Sequence, residues 1–191
     1  MTEKNLIINN RTLTYKGIFR VDELFKTIND TLAELNYQKQ EKKTEETVFP
    51  SGKKTYVELR PFKVKTTYVT LMIKIKISLN NIIEVVKEVD GVKRTFQQGD
   101  VIIGFDAWSV TDYVARWGMK PSFFFIKSFI NKYIYHFPLE GSFIGELKAD
   151  TTHLVDQIKA LFNLYKYQVM EGGAPVEEEK ASKEELDRLP P

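Results

Sequence analysis

The sequence predicts an α+β fold: a curved antiparallel β-sheet packed on a long C-terminal helix, with an additional Phe-rich helix before it. Three observations carry that expectation. From Val69 to Leu79 every odd position is apolar, while Lys74, Lys76 and Ser78 take the other side. A period of two means a strand with one face on a core and one facing water. A wet face implies antiparallel pairing, since parallel sheets are covered on both sides. Towards the C-terminus the period becomes helical, with Leu154, Ile158, Leu161, Phe162, Tyr165 and Val169 on one stripe. Between these, parity reverses: Phe62, Val64, Thr66 and Tyr68 keep an even phase, and Val69, Leu71 and Ile73 an odd one. A reversal needs one inserted residue, most simply a β-bulge near Tyr68. A flat strand over residues 62–79 would also run about 60 Å, so the strand is expected to bend.

At 191 residues the chain suits one α+β domain, residues 1–170, followed by an acidic tail, 171–191, with too little apolar matter to pack. Apolar content of 42% and charged content of 28% are those of an ordinary globule. There is no cysteine, which excludes disulfides, thiolate metal sites and cysteine catalysis and fits a reducing compartment. The N-terminus lacks the apolar core of a secretion signal. No run reaches the roughly 18 uncharged apolar residues that would span a bilayer; the longest apolar stretch, residues 122–137, is interrupted by Lys127, Asn131 and Lys132. A cytoplasmic location is expected. The tail holds seven acids against three bases, net −4, which leaves the first 170 residues at +6 within a total of +2. A basic body can favour an anionic membrane surface or nucleic acid, or simply solvate itself. No lysine cluster is joined to a nucleic-acid motif, so nucleic acid is not the expected partner.

In chain order, Thr12 to Phe19 predicts a first strand. A helix follows from about Asp22, which is placed to cap it, with Val21, Leu24, Phe25, Ile28, Leu32 and Leu35 as its stripe and an end near Asn36. Residues 37–48 are almost wholly polar and fit a continued helix, a mobile loop or an edge strand protected by charge. Pro50, Ser51 and Gly52 mark a turn into a strand over 54–60. Asn80-Asn81 and Asp90-Gly91 predict tight turns, followed by a strand from Val92 to Phe96, a turn at 97–100 and a strand from Val101 to about Tyr113. The Phe-rich segment 121–137 reads as a helix that Pro138 ends, with Gly141 and Gly145 in a loop. The last helix is expected to begin near Asp150 or Thr151 and to stop at Gly172-Gly173.

Residues with chemical potential are few. His136 and His153 are the only histidines, and neither has a second ligand type at metal-binding spacing. No phosphate loop, dinucleotide fingerprint or nucleophile elbow is present. Asp106, Trp108, Val110 and Asp112 would share one strand face, where two carboxylates beside an indole could bind a polar group or act as acid and base. The phase of Val101, Ile103 and Phe105 instead points that face to water. Aromatics, 13% of the chain, would fill a core or line an irregular cavity.

The order strand, helix, bent antiparallel run, long C-terminal helix over residues 11–170 resembles the helix-grip fold of START-type lipid-transfer domains, polyketide cyclases and plant pathogenesis-related allergens. The likeness lies in element order; segment 121–137 is extra, and the glycine-rich loop of some members has no counterpart. It implies a cavity for a greasy ligand between sheet and last helix. Val69, Leu71, Ile73 and Ile75 would form the floor, with Phe105 beside them and Ile158, Phe162 and Tyr165 in the roof. It carries over no catalytic residue, metal or cofactor.

The expected function is therefore non-enzymatic binding of a hydrophobic small molecule or lipid. The alternative is a protein-interaction or membrane-peripheral module that uses the Phe-rich helix and the acidic tail and has a solid interior. An enzyme using Asp106, Asp112 and Arg116 ranks third. An interior void of several hundred Å³ separates the first two readings.

Overall fold

The computed structural model describes residues 2–50, 52–89, 92–112 and 138–169. The order of elements is β1 (Thr2–Phe19), α1 (Val21–Glu34), β2 (Glu41–Phe49), β3 (Gly52–Leu59), β4 (Phe62–Val64), β5 (Val69–Val89), β6 (Val92–Asp112) and α2 (Pro138–Val169). The strands make one six-stranded antiparallel sheet in the order β1-β6-β5-β3-β2, with β4 also paired to β5. First and last strands are neighbours, and α2 lies on β1, β6 and β5 while α1 packs on α2. This α+β architecture is the expected one, and its arrangement is compatible with a helix-grip. Among the described residues no helix is long and apolar enough to cross a membrane.

The core follows the period of two. Val69, Leu71, Ile73, Ile75, Ile77 and Leu79 of β5 and Val101, Ile103, Phe105 and Ala107 of β6 are all buried. From β1 they meet Leu13, Tyr15 and Phe19, and from α2 Leu154, Val155, Ile158, Phe162 and Tyr165. Burying a large aliphatic or aromatic side chain is worth about 1.5–3 kcal/mol, so this face, more than any charge pair, holds the fold. Phe162 stacks on Tyr15 with ring centroids 4.3 Å apart and meets Phe19 edge-on at 6.1 Å.

The bend has a different origin from the one expected at Tyr68. Residues 65–68 are a turn: Thr66 Oγ1 accepts from the N–H groups of Tyr68 and Val69, at 3.3 and 3.0 Å, and β4 folds back on β5 with Phe62 opposite Met72. The parity change is thus a hairpin. The bulges lie elsewhere. Between Asn80 and Ile83 on β5 the register slips by one against β6, with Asn81 at φ 54°. An Asn accepts this left-handed conformation at little cost. Asn80-Asn81 is therefore a bulge inside a long hairpin, and the turn expected at 97–100 is strand facing it. Two glycines allow the crowding there. A Cβ on Gly99 would stand 2.8 Å from Asn80 O, and one on Gly52 (φ 137°) 3.0 Å from the Asn81 carbonyl carbon. β1 carries two further register shifts, between Leu6 and Arg11, with Asn10 at φ 57°. Each bulge raises the local twist. The Asp90-Gly91 turn lies outside the described residues, though β5 and β6 stay paired up to Val89 and Val92.

α1 begins at Val21 with Arg20, not Asp22, at the N-cap, and Arg20 forms no side-chain cap. Gln97 supplies one from β6: its Oε1 accepts the Val21 N–H at 3.1 Å. Asp22 and Glu23 occupy the first turn, where the helix dipole favours them, and both pair with Arg20. Asn36 at φ 60° and a bond from Tyr37 N–H to Leu32 O close the other end in a Schellman turn. Replacing Gln97 with alanine is expected to cost about 1 kcal/mol, as loss of a cap does, read as a lower urea midpoint.

α2 is longer than expected. It starts at Pro138, whose fixed φ suits a first turn, and runs through Gly141 and Gly145, which were expected in a loop. A glycine inside a helix costs about 1 kcal/mol; tertiary contacts offset this. Leu147 and Thr151 are buried. Lys63 of β4 pairs with Glu146 at 2.7 Å and Asp150 at 3.3 Å, and Lys65 with Glu146 at 2.9 Å. Tyr37 OH donates to Asp150 at 3.1 Å. Burial pulls the Lys63 ammonium down, but its two carboxylates outweigh that and raise it above its ordinary value. The Phe-rich helix 121–137, His136, Arg116, the Gly172-Gly173 stop and the acidic tail 171–191 lie outside the described residues.

Candidate functional site

The chain leaving α1 follows the β3–β4 edge. Gln38 exchanges backbone bonds with Phe62, and Arg60 N–H donates to Gln40 O. It then forms β2, the edge-strand alternative for this polar stretch. Pairing with β3 runs from Glu41↔Leu59 to Phe49↔Gly52. α2 sits over β1, β6 and β5, so among the described residues no helix lies over the concave surface of β2 and β3. α1 borders this surface through Val21 and Phe25.

Between them lies a cavity of about 710 Å³, within the usual range of small-molecule sites. Its floor is Val57 and Leu59 of β3 with Leu79 and Ile82 of β5. One wall is Val21 and Phe25, and the other is Thr44, Glu46, Val48 and Phe49 of β2. Thr55 lies beside the floor, Lys39 and Glu41 stand at one end, and Ile83, Glu84, Gln97 and Lys53 add to the lining, with Pro50 and Gly52 at the β2–β3 turn. Val48 is 75% exposed and Phe49 50%, so the β2 wall is the open side. Lys53 pairs with Glu46 at 2.7 Å, and Glu41 accepts from Thr44 Oγ1. The described lining contains no histidine or cysteine. Apolar floor with a thin charged rim is a binding chemistry: the floor supplies affinity and the rim orientation.

The eight residues proposed from sequence as ligand contacts are placed otherwise. Val69, Leu71, Ile73, Ile75, Phe105, Ile158 and Phe162 are each at most 1% exposed and Tyr165 is 3% exposed. They belong to one buried cluster, and none lines this cavity. The space is displaced along the sheet to the β2–β3 end, and α1 rather than α2 borders it. The physical reason is that Tyr15, Phe19 and Phe162 interlock ring on ring and occupy the volume a ligand would need. Tyr165 is further tied by donation of its OH to Glu23; burial and that carboxylate push its hydroxyl well above the ordinary value. The β2 wall carried no apolar alternation to signal it; of the lining, Val21 and Phe25 on the α1 stripe and Leu79 on the β5 face were visible as apolar.

The convex face differs from a simple wet surface. Glu58 is 2% exposed and accepts from Arg60 at 2.5 Å and Lys74 at 3.2 Å, with Tyr56 OH donating at 3.3 Å. Burial would raise the Glu58 carboxyl, yet the two cations overcome it and hold it below its ordinary value. Burial, then Glu58, pushes the Tyr56 hydroxyl to about 12. Asp106 is engaged structurally, its Oδ1 accepting the Asn10 N–H at 2.8 Å. Trp108 borders a hollow of about 150 Å³ with Lys4, Arg60, Met72, Lys74 and Val110. Asp112 ends β6 opposite Thr2. His153 lies 3.8 Å from Glu34. Among the described residues no group of three or more histidine, aspartate or glutamate side chains could hold a metal ion.

No family model matches the chain, and no curated protein or solved structure matches it.

Proposed function

We propose that the protein binds a hydrophobic small molecule or lipid, non-enzymatically, in the cavity between the β2–β3 end of the sheet and α1. The observation that carries this is the cavity itself: about 710 Å³ with apolar residues on its floor and on the α1 wall. A space of that size, open on the β2 side, is large enough for a small molecule, and its apolar floor favours an apolar occupant over water. The helix-grip-like order of elements supports the same reading, since that arrangement builds cavities against a curved sheet. Occupancy here would not involve α2. The interaction-module alternative draws on residues 121–137 and 171–191, outside the described residues, and no described feature favours it.

The test is titration with Nile red, a neutral apolar dye. Its emission is expected to rise and shift to the blue on binding the wild type, and to do so at least tenfold more weakly with Thr55→Phe. Thr55 lines the cavity and sits in a strand, where an aromatic is well accepted, so the variant is expected to keep its unfolding midpoint while filling the space. Equal binding by wild type and variant, or none by either, overturns the proposal.

A further inference from the structure

Resting on that reading, we infer that the ligand is an elongated amphipath whose polar end is positively charged and donates hydrogen bonds, an alkylammonium rather than a fatty-acid carboxylate. The cavity follows β2 from Glu41 to Phe49, nine residues, or about 30 Å of strand, so its shape suits a chain. Its charged lining is Glu41, Glu46 and Glu84 against Lys39 and Lys53, a surplus of one carboxylate. Lys53 and Glu46 satisfy each other at 2.7 Å, which leaves Lys39 with Glu41 at one end of the cavity and Glu84 at the other. Among the described residues the Glu84 carboxylate has no hydrogen-bond or ion-pair partner.

The other feature that would attract an anion is the N-terminal turn of α1, at the cavity wall. It is already answered. Gln97 Oε1 accepts the Val21 N–H, and Asp22 and Glu23 stand in that first turn, cancelling the positive end of the dipole. At the Glu84 end a carboxylate head would thus meet a carboxylate, a paired lysine and a capped helix; Lys39 stands at the opposite end, beside Glu41. An ammonium head would find Glu84 as acceptor while its chain covered Val57, Leu79 and Ile82.

The experiment displaces Nile red with dodecylamine, dodecanol and dodecanoic acid below their micellar concentrations at pH 7 and low salt. The amine is expected to displace at about threefold to tenfold lower concentration than the acid, the scale that one or two solvent-accessible charge interactions produce, with the alcohol between. Raising salt narrows the gap, and Glu84→Gln narrows it without changing the alcohol's affinity. If the alcohol displaces the dye and the acid equals or betters the amine, the charge inference is overturned and the cavity reading stands. If Nile red does not bind, or none of the three displaces it, the cavity reading itself falls and the inference with it.

Discussion

Truncating Phe162 to alanine is expected to destabilise the protein by about 3–5 kcal/mol, while leaving the affinity of the β2–β3 cavity for Nile red unchanged. The side chain is fully buried, stacked on Tyr15 and edge-on to Phe19, so its loss removes both transfer energy and two ring contacts. Neither Tyr15 nor Phe19 can collapse into the gap, because both are fixed in β1, opposite Val101 and Gln97. The cost therefore belongs near the upper end for a large-to-small change. The two readouts discriminate between the filled sheet–α2 interface and the open cavity. A fall in urea midpoint with constant dye affinity means that Phe162 serves packing. A fall in dye affinity larger than the loss of folded protein explains would mean that the ligand lies under α2 after all, as element order alone had implied.

The parts of the fold legible in the sequence are those where one face is buried and the other is not. β5 shows its inward set, Val69 to Leu79, because every outward neighbour except Met72 is polar. The stripe of α1 and the C-terminal half of α2 are legible for the same reason at helical spacing. What was not legible depends on partners distant in sequence. Asn80-Asn81 and Gln97–Asp100 are built from turn-forming residues and read as turns. They face each other across a hairpin, where together they make a bulge. The first half of α2 contains two glycines and a proline, and is held by Lys63 of β4 and Lys65 of the turn after it, some 80 residues earlier. The cap of α1 comes from Gln97. The cavity was hidden for a further reason: among the described residues no helix covers the sheet there, and β2, its outer wall, has polar residues on both faces.

Replacing Glu58 with glutamine is expected to cost about 2–4 kcal/mol at pH 7, and progressively less as the pH falls. Removing one member of a buried ion pair costs about 3–5 kcal/mol because the partner charge is stranded. The lower range applies because Arg60 is 38% exposed and can turn to water, whereas Lys74, 16% exposed, cannot do so as readily. The sign with pH follows from the direction of the shift. The folded-state carboxyl lies below its ordinary value of 4.5, so the folded protein holds its proton less tightly than the unfolded chain. Its contribution is complete above that ordinary value and disappears as the pH drops through the lower, folded-state value. In acid a protonated Glu58 and a glutamine leave Arg60 and Lys74 in the same condition, so wild type and variant should converge. Glu146 is depressed in the same way once Lys63 and Lys65 outweigh its burial, so the variant keeps part of the acid sensitivity. Urea unfolding at pH 7, 5 and 3 measures the gap at each point. A gap that is constant across that range would mean that Glu58 contributes through shape and packing, with its charge irrelevant.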